Sequence, residues 1–300
     1  MGYLSQKKKE TNTRELLNIS LGIVAFCCFF ILFLKETAVA GQISHWLFQI
    51  YIYALAAFIY ACFSKFYWQA GGLLCCVVIL FFNIEMGGNL FSNVKTQGSQ
   101  ELTILYQADA SSPQHMLDYT YKYKSDISAV LTKGKGNIKT YLLSSFYVNP
   151  ADGGMIITSH NFLRSGEVLL SKNGRAAFAD LKISLGRLVF MALDFSKISL
   201  MEQKTALHNL AEFINMQDVP VIIVGHFGQE AWSADFLNFL EKTNLEVKNE
   251  IILSDAKQRF NPFKIPTINI LAYKDFGLED IRFLPANKKD PHPLLIKLNY

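Results

Sequence analysis

The apolar residues of this chain are concentrated near its N-terminus. Three stretches, residues 16–34, 37–64 and 66–84, contain no charged side chain. Each is as long as the roughly 18 to 20 residues that a helix needs to cross the hydrocarbon core of a membrane. A buried helical hairpin of a water-soluble protein would still need a polar face, and these stretches leave it none. The pattern therefore predicts a three-helix transmembrane region over residues 16–86.

Basic residues precede the first apolar stretch. They are Lys7, Lys8, Lys9 and Arg14. Because basic flanks stay on the cytoplasmic side of a membrane, residues 1–15 are predicted to form a cytoplasmic tail, and three crossings then place the rest of the chain outside. The Ala-Val-Ala sequence at 38–40 is also compatible with a cleavable signal sequence. Cleavage there would leave two transmembrane helices, and the rest of the chain would still lie outside.

Beyond residue 86 the pattern changes to short apolar runs separated by turn residues. The polar, glycine-containing residues 87–100 are predicted to form a linker. Predicted strands cover 102–106, 127–131, 140–147, 155–158, 176–183, 188–193, 268–273 and 294–298, and predicted helices cover 112–123, 199–216 and 233–243. The uninterrupted apolar run 219–224 is typical of a central strand buried on both faces. The sequence thus predicts one α/β domain over residues 101–300.

Composition narrows the expected partners. All the cysteines lie in the apolar stretches, at Cys27, Cys28, Cys62, Cys75 and Cys76. The α/β domain therefore has no disulfide or thiolate metal site, which is compatible with an oxidising compartment. The net charge of +4 is modest and comes partly from the N-terminal lysines, so nucleic acid is not an expected partner. The expected partners are the lipid bilayer and other membrane or envelope proteins.

Three segments of the C-terminal part place polar residues beside predicted strands. They read Gly225-His226-Phe227-Gly228 followed by Trp232-Ser233, then Thr267-Ile268-Asn269-Ile270-Leu271, and finally Asp290-Pro291-His292-Pro293. In order and frame they resemble the endonuclease/exonuclease/phosphatase superfamily, where the corresponding segments read Gly-Asp-Phe-Asn, Ile-Asp-His-Val-Leu and Ser-Asp-His-x-Pro. Three N-terminal spans ahead of such a domain are also similar to bacterial members of that superfamily.

The resemblance implies a two-sheet α/β sandwich and, in active members, hydrolysis of phosphate esters with Mg²⁺. This ion prefers hard oxygen ligands, yet most positions that would supply catalytic groups have changed. The family's metal-binding Glu corresponds to Lys133 and its first-strand Asn to Ala108. The Asp and Asn of Gly-Asp-Phe-Asn become His226 and Gly228, and the mid-domain His falls near Ala192.

Few of the family's functional residues remain. Asp290 keeps the acidic position near the C-terminus, but Pro291 stands where the general acid/base His belongs. His292 is one place late, and strand alternation could turn it away from a cleft. Asp290, His292 and His226 are residual catalytic candidates. Asp290 and, after a register slip of one residue, Asp109 are residual candidates for metal ligands. The set of His226, Asp290 and His292 would also suit zinc or iron.

Three functional hypotheses arise from this pattern. The first is a membrane-anchored pseudoenzyme whose superfamily scaffold serves as an extracytoplasmic interaction or assembly domain without a cofactor. It is favoured because loss of catalytic groups typically costs orders of magnitude in rate. The second is an active metal-dependent phosphohydrolase with a rearranged site, acting with Mg²⁺ on phosphodiesters or on lipid or nucleotide phosphates. The third is an unrelated α/β domain of an envelope complex. The expected location is a bacterial inner membrane, with a periplasmic domain.

Overall fold

The structure is a computed structural model, and it describes residues 2–34, 43, 46–87, 100–110, 114–132, 147–151, 154–184, 186–229, 231–249, 268–285 and 292–300. The chain divides into two compact units. The first consists mainly of Met1–Gly87, and the second mainly of the chain after that segment.

In its described residues, the N-terminal unit contains three helices, α1 (Gly2–Phe33), α2 (Leu47–Phe63) and α3 (Tyr67–Gly87). The segments Thr11–Phe33 and Tyr67–Ile84 are long and apolar enough to cross a membrane. Helix α2 has 17 residues and spans about 26 Å, less than the roughly 30 Å hydrocarbon core. The expectation of three spans is therefore corrected to two candidate spans, and a third crossing stays a prediction.

Polar side chains join these three helices. The Gln69 amide donates a hydrogen bond of 2.9 Å to Asn18 Oδ1, between α3 and α1. The hydroxyl groups of Ser20 and Tyr53 are 2.6 Å apart, between α1 and α2. Side-chain hydrogen bonds of this kind commonly hold membrane helices together. Helix α1 is thus tied to both of its neighbours.

The second unit is built from two six-stranded sheets. Its strands are β1 (Glu101–Ala110), β2 (Ile127–Thr132), β3 (Tyr147–Ala151), β4 (Gly154–Thr158), β5 (Asn161–Leu169), β6 (Arg175–Ile183), β7 (Gly186–Asp194), β8 (Val221–His226), β9 (Glu246–Val247), β10 (Ile268–Ala272), β11 (Gly277–Phe283) and β12 (Leu294–Asn299). Sheet 1 has the order β11-β12-β1-β2-β4-β3, and sheet 2 has the order β5-β6-β7-β8-β10-β9. The pairs β1–β2 and β7–β8 are parallel.

The main core lies between the two sheets. In β7, Phe190 and Ala192 belong to this inter-sheet core, whereas Met191 and Leu193 pack on the opposite face of sheet 2, as strand alternation requires. The outer faces are covered by α4 (Gln114–Tyr123) on sheet 1 and by α5 (Leu200–Asn215) and α6 (Ala234–Thr243) on sheet 2. This arrangement confirms the predicted two-sheet α/β sandwich.

Some strands lie where the sequence predicted none. Strand β11 contains Glu279, Asp280 and Arg282, and β5 is an edge strand with mostly exposed or half-exposed residues. Edge strands carry charged residues because one side of their backbone is unpaired, so neither strand shows a clear apolar pattern. Of the strand predicted over 140–147, all but Tyr147 lies outside the described residues.

Candidate functional site

A cleft of about 100 Å³ lies at one end of the sandwich. It is lined by Tyr106, Ala108, Asp194, Ser196, His226, Ile268, His292 and Leu294. These residues lie near the carboxyl ends of β1, β7 and β8 and the amino ends of β10 and β12, which the strand pairing brings to the same end of the two sheets. Ligand sites of α/β folds commonly lie at the carboxyl ends of parallel strands.

Strands β7 and β8 place Asp194 beside His226. The two strands are parallel, and Asp194 and His226 are partners in their register. Asp194 Oδ1 accepts a hydrogen bond of 2.9 Å from the backbone N–H of Ser196. The Phe195 N–H donates to the His226 carbonyl oxygen at 2.7 Å. The two strand ends and the turn after β7 are therefore held in one arrangement.

His292 lines the same cleft from sheet 1. It lies two residues before β12 rather than in it, so the alternation of the strand does not turn it away. The one-place shift therefore does not remove His292 from the cleft. Its Nδ1 is 2.8 Å from the carbonyl oxygen of Leu284. A carbonyl oxygen can only accept, so Nδ1 carries the hydrogen, and in the neutral ring Nε2 is an acceptor.

A hydrogen bond joins the two sheets beside the cleft. Tyr106 of sheet 1 is buried, and its hydroxyl donates to the carbonyl oxygen of Leu193 in sheet 2 at 3.0 Å. Gly225 leaves the space for that carbonyl group, because a Cβ atom at this position would be 2.1 Å from the Leu193 oxygen. The absence of a side chain at Gly225 thus shapes this end of the sandwich.

The segment after β8 turns at Gly228, which has a left-handed backbone with φ of +71°. A Cβ atom here would be 2.4 Å from Gln203 Nε2 and 2.7 Å from the Phe195 carbonyl oxygen. Gln203 is buried, and its amide donates to the carbonyl oxygens of Phe195 and Ile198. The turn therefore has no room for the Asn that the resemblance places at this position.

We expect Gly228→Asn to lower the free energy of unfolding by about 2 kcal/mol, because the new side chain would displace the Gln203 amide. Urea unfolding of the full chain in detergent measures this change. The matched control is Asn244→Gly, which exchanges the same two residues at a left-handed position with φ of +54° and should change stability by about 0.5 kcal/mol or less. Wild-type stability of Gly228→Asn would show that the turn accepts the side chain.

The cleft brings together two of the predicted site residues, His226 and His292. Asp290 lies outside the described residues, and Asp109 lies in β1 with a side chain that is not described. Among the described residues, no group of three His, Cys, Asp or Glu side chains could hold a metal ion. The described cleft residues therefore do not fit the Mg²⁺ ion that the resemblance implies.

Asp194 and Ser196 were not predicted as site residues. The resemblance placed the family's mid-domain His near Ala192, which is buried between the sheets. Asp194 lies two residues further along, at the end of β7. The sequence does contain a pattern that points to Asp194. The apolar run 188–193 is followed directly by Asp194, just as the run 219–224 is followed by Gly225 and His226. Only the parallel pairing of β7 and β8 brings the two strand ends together.

The second unit has the fold of endonuclease/exonuclease/phosphatase proteins. A protein of that family from Bacteroides thetaiotaomicron superposes with a TM-score of 0.55 and 13% identity, over 68% of this chain and 99% of that one. One from Bacteroides vulgatus gives 0.53 and 11%, over 67% and 99%. The mannosyl-6-phosphatase of Bacteroides thetaiotaomicron gives 0.51 and 13%, over 66% and 100%. The sequence matches no family model and no curated protein.

Proposed function

We propose that this protein is a membrane-anchored, degenerate member of the endonuclease/exonuclease/phosphatase superfamily, whose sandwich serves as an interaction or assembly domain. The observation that carries the proposal is the identity of two cleft residues. Ala108 and His226 line the cleft at positions where the resemblance implies an Asn and the catalytic Asp. A methyl group and an imidazole do not supply the hard oxygen atoms that Mg²⁺-dependent hydrolysis requires.

The turn at Gly228 supports the same proposal. In active members of the family an Asn at this position contacts phosphate, as the resemblance implies. Here the space for a side chain is occupied by Gln203 and by the Phe195 carbonyl group. A substitution at Gly228 alone would therefore not rebuild the family's site.

The two candidate spans support membrane anchoring. If α2 crosses as well, a cytoplasmic tail over residues 1–15 places the sandwich on the extracytoplasmic side, and we propose the periplasmic face of a bacterial inner membrane. The partners would then be the lipid bilayer and other membrane or envelope proteins. Accessibility of a cysteine placed at Ser171 to an impermeant thiol reagent in intact cells tests this topology, and labelling only after cell lysis would contradict it.

The test of the missing activity uses the full chain in detergent. Mg²⁺, Mn²⁺ and Zn²⁺ are titrated by calorimetry, and hydrolysis of a phosphomonoester and a phosphodiester is measured on the same sample. We expect no turnover above that of a matched sample carrying both His226→Ala and His292→Ala. Turnover that this double variant abolishes would overturn the proposal.

The alternative is an active phosphohydrolase with a rearranged site. The observation that favours it is that Asp194, His226 and His292 line one cleft. This alternative predicts metal-dependent turnover that is lost in Asp290→Ala and in His292→Ala. Turnover that survives both substitutions would point to a contaminating enzyme.

A further inference from the structure

The cleft contains three titratable side chains that are not arranged around a single point. Asp194 and His226 end neighbouring strands of sheet 2, whereas His292 approaches from sheet 1. These three side chains form no group that could hold a metal ion. Polar groups contributed by both sheets suit a ligand that offers several hydrogen-bond donors in different directions.

The described polar groups of the cleft include strong acceptors. The Asp194 carboxylate is negatively charged, and one of its oxygens accepts from the Ser196 N–H. A carboxylate has further acceptor sites beyond that bond. Because His292 Nδ1 donates to the Leu284 carbonyl oxygen, Nε2 of the neutral ring is a second acceptor. A cation that carries several N–H groups would satisfy both.

Apart from Ser196 and Tyr106, the remaining lining is apolar. Ala108, Ile268 and Leu294 provide aliphatic walls. The volume of about 100 Å³ is enough for a small planar group on an aliphatic stem.

We propose that the cleft binds the guanidinium group of an arginine side chain presented by a partner protein. A guanidinium is planar, carries five N–H donors and pairs well with carboxylates, and arginine is enriched at protein interfaces. Its methylene groups would contact Ala108, Ile268 and Leu294. The inference rests on the proposed function and names the chemistry by which the interaction domain recognises its partner.

Other ligand classes fit the cleft less well. A phosphate or carboxylate would meet the negative charge of Asp194, and burying two like charges side by side is costly. A lysine ammonium is a compact point charge and lacks the planar fork of donors that pairs well with a carboxylate. The arginine guanidinium has several N–H donors in one plane and suits a cleft that offers acceptors at Asp194 and His292.

The experiment compares two probes that differ only in charge and in one donor group. Nα-acetyl-arginine amide carries the guanidinium, and Nα-acetyl-citrulline amide carries a neutral urea of nearly the same shape. Binding of each to the full chain in detergent is followed by saturation-transfer NMR. We expect the arginine amide to bind at least about tenfold more tightly, because charge-assisted hydrogen bonds are roughly twice as strong as neutral ones.

Variants locate the binding. Asp194→Asn keeps an oxygen for the Ser196 N–H but removes the charge, and it should weaken arginine-amide binding about tenfold. His292→Gln should weaken it as well, and it serves if Asp194→Asn fails to fold. Asp235→Asn, on α6 and paired with Lys204, should leave binding unchanged.

Equal binding of the two probes, no binding of either, or wild-type binding by both cleft variants would overturn the inference. These outcomes concern guanidinium recognition alone, since the proposed loss of hydrolase activity is tested separately by turnover.

Discussion

Replacing Gly225 by alanine is expected to lower the free energy of unfolding of the sandwich by about 4 kcal/mol or more. Gly225 lies in the central strand β8 and is paired in register with Leu193 of β7. The new Cβ would be 2.1 Å from the Leu193 carbonyl oxygen and 2.9 Å from its carbonyl carbon. These are backbone atoms of a buried strand, so no side-chain rotation relieves the clash.

The displaced carbonyl group would also lose its hydrogen bond from Tyr106. Overpacking in a well-packed core typically costs 1 to 3 kcal/mol, and a shift of two central strands together with a lost buried hydrogen bond brings the expected cost to about 4 kcal/mol or more. This is a large part of the roughly 5 to 15 kcal/mol that stabilise a typical domain.

Hydrogen-exchange mass spectrometry of the full chain in detergent measures the effect where it arises. The amides of β7 and β8 should lose their protection in Gly225→Ala. The matched control is Gly166→Ala on the edge strand β5, where the added Cβ meets only the Phe178 ring at an ordinary 3.4 Å. Protection of β7 and β8 that is equal in the two variants would contradict the expectation.

Asp180→Asn is expected to lower the free energy of unfolding by about 3 kcal/mol. Asp180 is fully buried in β6, and its carboxylate accepts from Arg164 Nε at 3.0 Å and from Arg187 Nη2 at 2.6 Å. Its hydrogen bond and charge raise the pKa of the Arg187 guanidinium. Arg164 also donates to Gln217, just after α5. One carboxylate thus connects three strands of sheet 2 to the end of a helix.

The expected loss of stability in Asp180→Asn depends on how exposed the two arginine side chains are. Removing one partner of a buried ion pair costs roughly 3 to 5 kcal/mol. Both guanidinium groups are about half exposed and water can solvate them after the loss of Asp180, so the lower end of that range applies. The amide N–H groups of the new asparagine would also point toward one of the arginines, which can only donate hydrogen bonds.

Urea unfolding of the full chain in detergent measures this change. Glu167→Gln is the matched control, because Glu167 pairs with Arg175 across the same two strands, β5 and β6, and both side chains are partly exposed. Exposed pairs contribute about 0 to 1 kcal/mol, so this control should differ little from wild type. A loss for Asp180→Asn no larger than that of Glu167→Gln would show that Asp180 does not hold the strands together.

Several elements could be predicted because their signals are local. Helix α5 is preceded by Ser199, which forms a capping box with Glu202, and the predicted helix 199–216 differs from α5 by one residue at each end. The run 219–224 became the buried strand β8, shifted by two residues. Strands β5 and β11 were missed because exposed edge positions tolerate polar and charged residues, which leaves no apolar pattern to detect.

The site was only partly predictable for a related reason. His226 and His292 were selected from short segments with a recognisable order of residues. Asp194 lies 32 positions before His226 in the sequence and became its neighbour only through the parallel pairing of β7 and β8. The His292 side chain lines the cleft because His292 lies before β12 and because its ring is hydrogen-bonded to the Leu284 carbonyl oxygen.

The sequence alone determined the division into an apolar N-terminal region and an α/β domain. The spacing of apolar residues within each short segment is enough to distinguish the two. Only the tertiary structure decided which residues share the cleft and why Gly225 and Gly228 must be glycine. Those properties depend on distances between backbone segments that are far apart in the chain, and strand pairing rather than local composition sets these distances.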